Sequence, residues 1–153
     1  MVLVDTNVLL RLIQIGHPHQ KPALDAIAYL RLQEQEQLGT CTQALYEMYV
    51  VCTRPNSAPN PGLGLTPLDA LTQIETAQNQ FPPQPEPRGL LTRWKDLVRS
   101  CNVVGKAAHD ARIAALMMEQ EIEKLLTFND SDFVRFPDIQ VLNPFDVLGI
   151  ARF

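Results

Sequence analysis

Four acidic residues, Asp5, Glu47, Asp110 and Asp132, sit where a carboxylate is least expected. Asp5 interrupts the apolar run "VLVDTNVLL", and Glu47 is the only charge in "ALYEMYVVC". Asp110 opens the alanine-rich stretch "HDARIAALMM", and Asp132 follows closely on "KLLT". A buried, unpaired charge costs several kcal/mol or more, so such a group must be neutralised, paired, or holding a cation. Asp5 and Glu47 have no basic residue three or four positions away, and Asp110 has only Lys106, whose long side chain can reach water. If the four acids converge, they repel one another unless a divalent cation sits among them. Oxygen donors without sulfur or imidazole favour magnesium or manganese. A site of that kind suits hydrolysis of a phosphodiester. Each acid also has a purely structural reading. Asp5 can cap the helix that starts near Asn7, Glu47 can snorkel to the surface, Asp110 can favour a helix N-terminus, and Asp132 can belong to the turn "NDSD".

The elements that must position these residues follow from patterning. Residues 1–5 read as a short buried strand and Asn7 to Gln14 as a helix. The stretch after His17 reads as a helix running to Gln37, "LGTCT" as a strand, and "QALYEMYVVCT" as a strongly apolar helix. Residues 54–66, "RPNSAPNPGLGLT", read as a loop, and Leu68, Leu71, Ile74, Ala77 and Phe81 mark another helix. "PPQPEP" reads as a stiff connector. Leu90, Leu91, Trp94, Leu97, Val98 and Cys101 trace the apolar stripe of an amphipathic helix. "KAAHDARIAALMMEQ" is a helix whose alanines permit close approach to a sheet. "EKLLTFN" is a strand, "DSDFVRF" a short helix and "IQVLN" a last strand. Strands alternating with helices imply a parallel sheet covered on both faces, with ligands at the C-terminal strand ends. Asp5 and Asp132 fall at such ends.

Composition narrows the class. The 153 residues suggest one domain over 1–153, large enough to bury a core without staples. The net charge of −4 argues against a protein that coats nucleic acid electrostatically, but not against an enzyme that touches a few phosphates. Cys41, Cys52 and Cys101 are an odd, widely spaced set, expected to be free thiols, and they do not pair with His17, His19 or His109 at zinc-ligand spacing. No apolar run approaches the ~20 residues of a membrane span. The first residues lack the basic region and cleavage site of a signal peptide. A cytoplasmic protein without membrane contact is expected.

The segments "VLVDTNVLL", "TQALYEMYVV", "VVGKAAHDARIAALM" and "LLTFNDSDFVRF", in this order, resemble the PIN domain family, metal-dependent ribonucleases that include VapC-type toxins. The resemblance spans Met1 to about Pro144. It implies a three-layer α/β/α sandwich on a five-stranded, mostly parallel sheet. It implies Asp5, Glu47, Asp110 and Asp132 as catalytic and metal-binding residues, with Mg2+ or Mn2+ as cofactor. Asn7, Thr127 and Asn129 are implied as supporting residues, Asn7 and Thr127 by hydrogen bonds to the acids. The fourth acid is Asp130 or Asp132, with Asp132 favoured because Thr127 and Phe133 bracket it. The implied activity is that of an endoribonuclease acting on RNA, with an antitoxin protein or a second copy as partner. The alternative is an inactive PIN-like scaffold that binds RNA or protein without cutting. Arg54 to Arg88 is longer and richer in proline than in compact members of the family.

Two further features bear on substrate. Arg88, Arg93, Lys95, Arg99 and Lys106, with Trp94 among them, form the densest basic stretch. It reads either as a path for an RNA backbone or, more simply, as the solvated face of one helix with Trp94 on its apolar side. His109 beside Asp110 reads as a surface or packing histidine before a water-polarising one. Other folds that gather acids at strand ends fit less well. A haloacid-dehalogenase phosphatase needs an acid two residues after Asp5, where Asn7 stands, and a response-regulator receiver needs a lysine after its last strand, which "IQVLNP" lacks.

Overall fold

The computed structural model describes residues 1–57 and 59–152. Five strands, β1 (Val2–Val4), β2 (Leu38–Cys41), β3 (Pro83–Gln84), β4 (Lys124–Leu126) and β5 (Gln140–Leu142), lie in the order β3-β2-β1-β4-β5. Every pairing is parallel, with Val4 beside Leu126 and Leu3 beside Gly39. Parallel strands need crossovers, which the helices supply. They are α1 (Thr6–Ile13), α2 (Gln20–Leu32), α3 (Thr42–Thr53), α4 (Pro67–Gln80), α5 (Leu90–Ser100), α6 (Ala107–Glu119), α7 (Asp130–Phe133) and α8 (Pro144–Leu148). From β1 the chain steps outward to β2 and β3, then crosses back over β1 to β4. Right-handed crossovers in opposite directions put their helices on opposite faces. Helices α1 to α4 and α8 pack as one group and α5 to α7 as the other. The reversal leaves a crevice at the C-terminal ends of β1 and β4, where open α/β sheets bind ligands.

The core is the sheet and what covers it. Val2, Leu3, Val4, Leu125 and Leu126 are fully buried, as the continuous apolar runs of a doubly covered sheet require. On α6, Ala111, Ala114 and Ala115 are fully buried, so the helix backbone lies close to its neighbours. On α5, Leu90 and Leu97 face inward, but Leu91, expected on the apolar stripe, is 60% exposed.

Three local readings change. Helix α2 ends at Leu32 rather than Gln37. Gln35 takes a positive φ of 53° and the Glu36 amide donates back to the Leu30 carbonyl, turning the chain so that β2 can begin at Leu38. The connector "PPQPEP" contains β3, an edge strand. Proline lacks the N–H that a central strand must donate, which confines it to an edge. Helix α8 is unexpected from periodicity. Its start is built from Asn143, whose side chain accepts from the Phe145 amide, and Pro144 in the first turn; its end is Gly149 at φ 65°.

Candidate active site

Asp5 is the first residue beyond β1, and its amide still donates to the Leu126 carbonyl of β4. Thr127, the first residue beyond β4, is its lateral neighbour at the sheet's C-terminal edge. The Asp5 carboxylate is buried, 7% exposed, and held by three donors. Oδ1 accepts from the Thr6 amide at 2.7 Å, and Oδ2 accepts from the Asn7 amide group and the Thr127 hydroxyl, each at 2.7 Å. Asp5 therefore also caps α1, so the structural reading of this residue is present alongside the chemical one. Asn7 Nδ2 also donates to Thr127 Oγ1 at 2.8 Å, and its Oδ1 accepts from the Phe128 amide at 3.0 Å. Asn7 and Thr127 thus orient Asp5. Asn129 enters only through its backbone, whose N–H donates to Thr127 Oγ1.

Glu47 projects from the second turn of α3 towards the same edge. Its Oε2 accepts from Thr6 Oγ1 at 2.9 Å and its Oε1 from Gln43 Nε2 at 2.8 Å. Gln43 is buried and also donates to the His109 carbonyl at 3.1 Å, tying α3 to the turn of α6 that carries Asp110. Among the described residues, no side chain donates to the Asp110 or Asp132 carboxylates and no cation pairs with any of the four acids. Arg135, three residues after Asp132, forms no ion pair with it. Asp130 differs: Asn143 Nδ2 donates to it at 2.6 Å and Arg152 pairs with it at 2.7 Å. Burial raises its pKa, but these partners outweigh burial and hold its carboxyl below the usual range.

Electrostatics ties the acids together. Burial pushes Asp5 up to about 6, against the hydrogen bonds from Thr127 and Thr6, and the charges of Glu47 and Asp110 add to the rise. Burial also raises Asp110 to about 6, reinforced by Asp132 and Glu47 and opposed by His109 and Arg135. The charges of Glu47 and Asp110 act on Asp5, and those of Asp132 and Glu47 act on Asp110, so the four carboxylates lie in one region. Asp132, not Asp130, belongs to that region.

The donor set suits a hard divalent cation. Oδ1 of Asp5 has one hydrogen bond and a second lone pair to offer, and Asp110 and Asp132 have oxygens without donors. Among the described residues no three Asp, Glu, His or Cys side chains stand close enough to form a ready cage. Magnesium does not require one, since it keeps several waters and takes one or two carboxylates directly.

The basic stretch resolves into separate roles. Arg93 pairs with Glu119 at 2.9 Å and Arg99 with Asp96 at 3.3 Å. Trp94 is half-buried, and its Nε1 donates to the Ala108 carbonyl at 2.9 Å, fastening α5 to α6. His109 is exposed. Thr6, Gln43 and Arg112 were not foreseen as parts of this region. Gln43 lies four residues before Glu47 on one helix, a spacing that places side chains together. Thr6 meets Glu47 across 41 positions, which only the fold reveals.

Comparison with curated protein sequences finds no match. Among solved structures, FitAcB from Neisseria gonorrhoeae superposes with a TM-score of 0.70 at 15% identity, covering 95% of this chain and 99% of that one. VapBC-1 from nontypeable Haemophilus influenzae gives 0.69 at 15% identity, covering 94% and 98%. VapBC2 from Rickettsia felis, bound to a DNA fragment from its promoter, gives 0.69 at 14%, covering 94% and 98%. At such identities the likeness speaks for the fold. The PIN domain family profile matches residues 2–139, and the chain belongs to the PIN domain family.

Proposed function

We propose that this protein is a magnesium- or manganese-dependent endoribonuclease, the toxin of a toxin–antitoxin pair. One observation carries the reading: Asp5, Glu47, Asp110 and Asp132 share a region at the sheet's C-terminal edge, and no cationic side chain among the described residues pairs with them. Asp5, Glu47, Asp110 and Asp132 would hold the cation among them, one or two carboxylates directly and the others through its waters. When bound there, a divalent cation polarises a phosphoryl oxygen, acidifies water and stabilises charge on the leaving oxygen. Thr6, Asn7 and Thr127 fix the Asp5 carboxylate, and Thr6 and Gln43 fix Glu47, so these oxygens are oriented before substrate arrives. Asp110 and Asp132 bring charge without donors among the described residues.

The neighbours VapBC and FitAcB support a protein partner. The surface offers a place for one. Tyr46 and Val50 on α3, with Leu68 and Leu71 on α4, are large apolar side chains between 49% and 74% exposed. An antitoxin segment, or a second copy of the chain, would cover them.

The test is cleavage of a labelled single-stranded RNA by purified protein. Activity is expected in manganese, absent in EDTA, and reduced at least about 100-fold in Asp110→Asn. Cleavage that survives EDTA would overturn the metal dependence. RNA binding without cleavage in any divalent cation would turn the reading into that of a scaffold.

A further inference from the structure

Beside the acids lies a recess of about 470 Å3, within the roughly 300–1,000 Å3 of small-molecule clefts. Glu86, Arg88, Leu91, Trp94 and Arg112 are among the residues that line it. Two hydrogen-bonded bridges join it to the acidic region. Arg112 Nη1 donates to Gln43 Oε1 at 3.1 Å, and the same Gln43 side chain donates to Glu47. Trp94 donates to the Ala108 carbonyl, two residues before Asp110. The chain as a whole carries −4, yet these lining residues hold two arginines against one glutamate. Arg88 is exposed and without an ion pair among the described residues, and Leu91 is an exposed apolar side chain on the rim.

Arg112 is occupied in a telling way. Its Nη2 donates to Glu86 Oε1 at 2.6 Å, and Thr42 Oγ1 donates to the same oxygen. Through this one Nη2 contact the Glu86 carboxylate holds a place on Arg112 that suits an anionic phosphate oxygen. Glu86 is an exposed side chain on the connector after the edge strand β3. A strand leaving the acids in this direction meets an arginine for its phosphate and an apolar, aromatic wall for its base.

We propose that this recess is a nucleotide subsite for a single-stranded RNA substrate. Arg112 takes a phosphate with help from Arg88, Leu91 and Trp94 wall the base, and Glu86 occupies Arg112 until the strand arrives. The proposal rests on the nuclease reading for its substrate class, but it can be tested apart from cleavage.

The probe is a fluorescein-labelled RNA decamer, titrated with full-length protein in EDTA so that no cleavage intervenes, at several salt concentrations. Wild type is expected to bind. Arg112→Gln is expected to bind at least about tenfold more weakly, with the salt slope reduced by about 0.7, the share of one phosphate contact on a single strand. Glu86→Gln, which releases Arg112, is expected to bind as tightly as wild type or more so. Leu91→Asp, at an exposed position where folding is not at risk, is expected to weaken binding by about tenfold. Arg99→Gln removes the same charge from α5 away from the recess and is expected to stay within about twofold. The proposal is overturned if wild type binds no RNA, if Arg112→Gln binds as wild type does, or if Glu86→Gln loses as much as Arg112→Gln, which would make the ion pair a structural latch. Manganese-dependent cleavage run in parallel separates the two readings. Cleavage with unchanged Arg112→Gln binding rejects the subsite and keeps the nuclease; lost binding without any wild-type cleavage does the reverse.

Discussion

Asp110 and Asp5 carry the same elevated pKa for partly different reasons, and this decides which of them is the cleaner probe. Asp5 accepts three hydrogen bonds, so Asp5→Asn would place an NH2 group against donors from Asn7 and Thr127. Among the described residues, Asp110 has no donor to lose. Both groups titrate near 6 in the folded chain against 3.8 in a free one. The folded state therefore holds extra protons between those values, and the stability they represent is present below about pH 4 and lost as pH rises through about 6. Removing one such group should relieve that loss. In EDTA, Asp110→Asn is expected to match wild type near pH 4 and to exceed it at pH 7.5 by on the order of 1 kcal/mol, once solvent screening at this partly exposed site is allowed for. Thermal melts at the two pH values check this, and a mutant less stable at pH 7.5 would return Asp110 to a structural role. Thr127→Val probes the other carboxylate. The Thr127 side chain is fully buried, so losing its hydroxyl leaves Asp5 Oδ2 short of a donor at a cost of about 1–3 kcal/mol, readable by urea unfolding.

At the scale of elements, the long loop between α3 and α4 closes the end of α3. Gly62 N donates to the Pro55 carbonyl, while Leu63, Gly64 and Leu65 donate to Val51, Arg54 and Cys52. A Cβ at Gly62 would stand 2.4 Å from the Arg54 carbonyl oxygen and 2.5 Å from that of Val51. Gly62→Ala is therefore expected to cost about 1–3 kcal/mol while leaving cleavage per folded molecule unchanged, because α3 carries Glu47 one and a half turns earlier. Equal stability in the mutant would contradict this account of the loop. Elements with strong periodicity or composition were legible in the sequence: β1, β2, β4, β5 and the long helices lie where apolar patterning places them, apart from the earlier end of α2 at Leu32. Strand β3 was not, because two prolines and two residues of pairing leave no alternation to detect. Helix α8 was not, because five residues are too few for a period, although Asn143, Pro144 and Gly149 were its punctuation. The candidate site divides similarly. The isolated acids were visible as charges in apolar surroundings. Thr127 was reached through the family resemblance and Gln43 lies at helical spacing from Glu47, but Thr6 is an ordinary polar residue until the fold brings it within 3 Å of Glu47.

At the scale of the whole molecule, a wall of acids and an uncovered apolar face coexist in one chain of net charge −4. The apolar face on α3 and α4 is expected to drive association, so the lone chain should form dimers in light scattering and Tyr46→Glu with Leu71→Glu should return it to monomer. A monomeric wild type that retains no small protein partner on purification would remove the support for that face as an interface. The acids carry the larger claim, that four carboxylates from the end of β1 and from α3, α6 and α7 make one divalent-cation site. The most direct measurement is a manganese titration followed by electron paramagnetic resonance at pH 7.5, with wild type and Asp110→Asn side by side. One site per chain is expected in wild type, weakened at least about tenfold in the mutant and lost in wild type as the pH is lowered to 5, where Asp5 and Asp110 are mostly protonated. Equal manganese binding by both proteins, or none by wild type, would contradict the account.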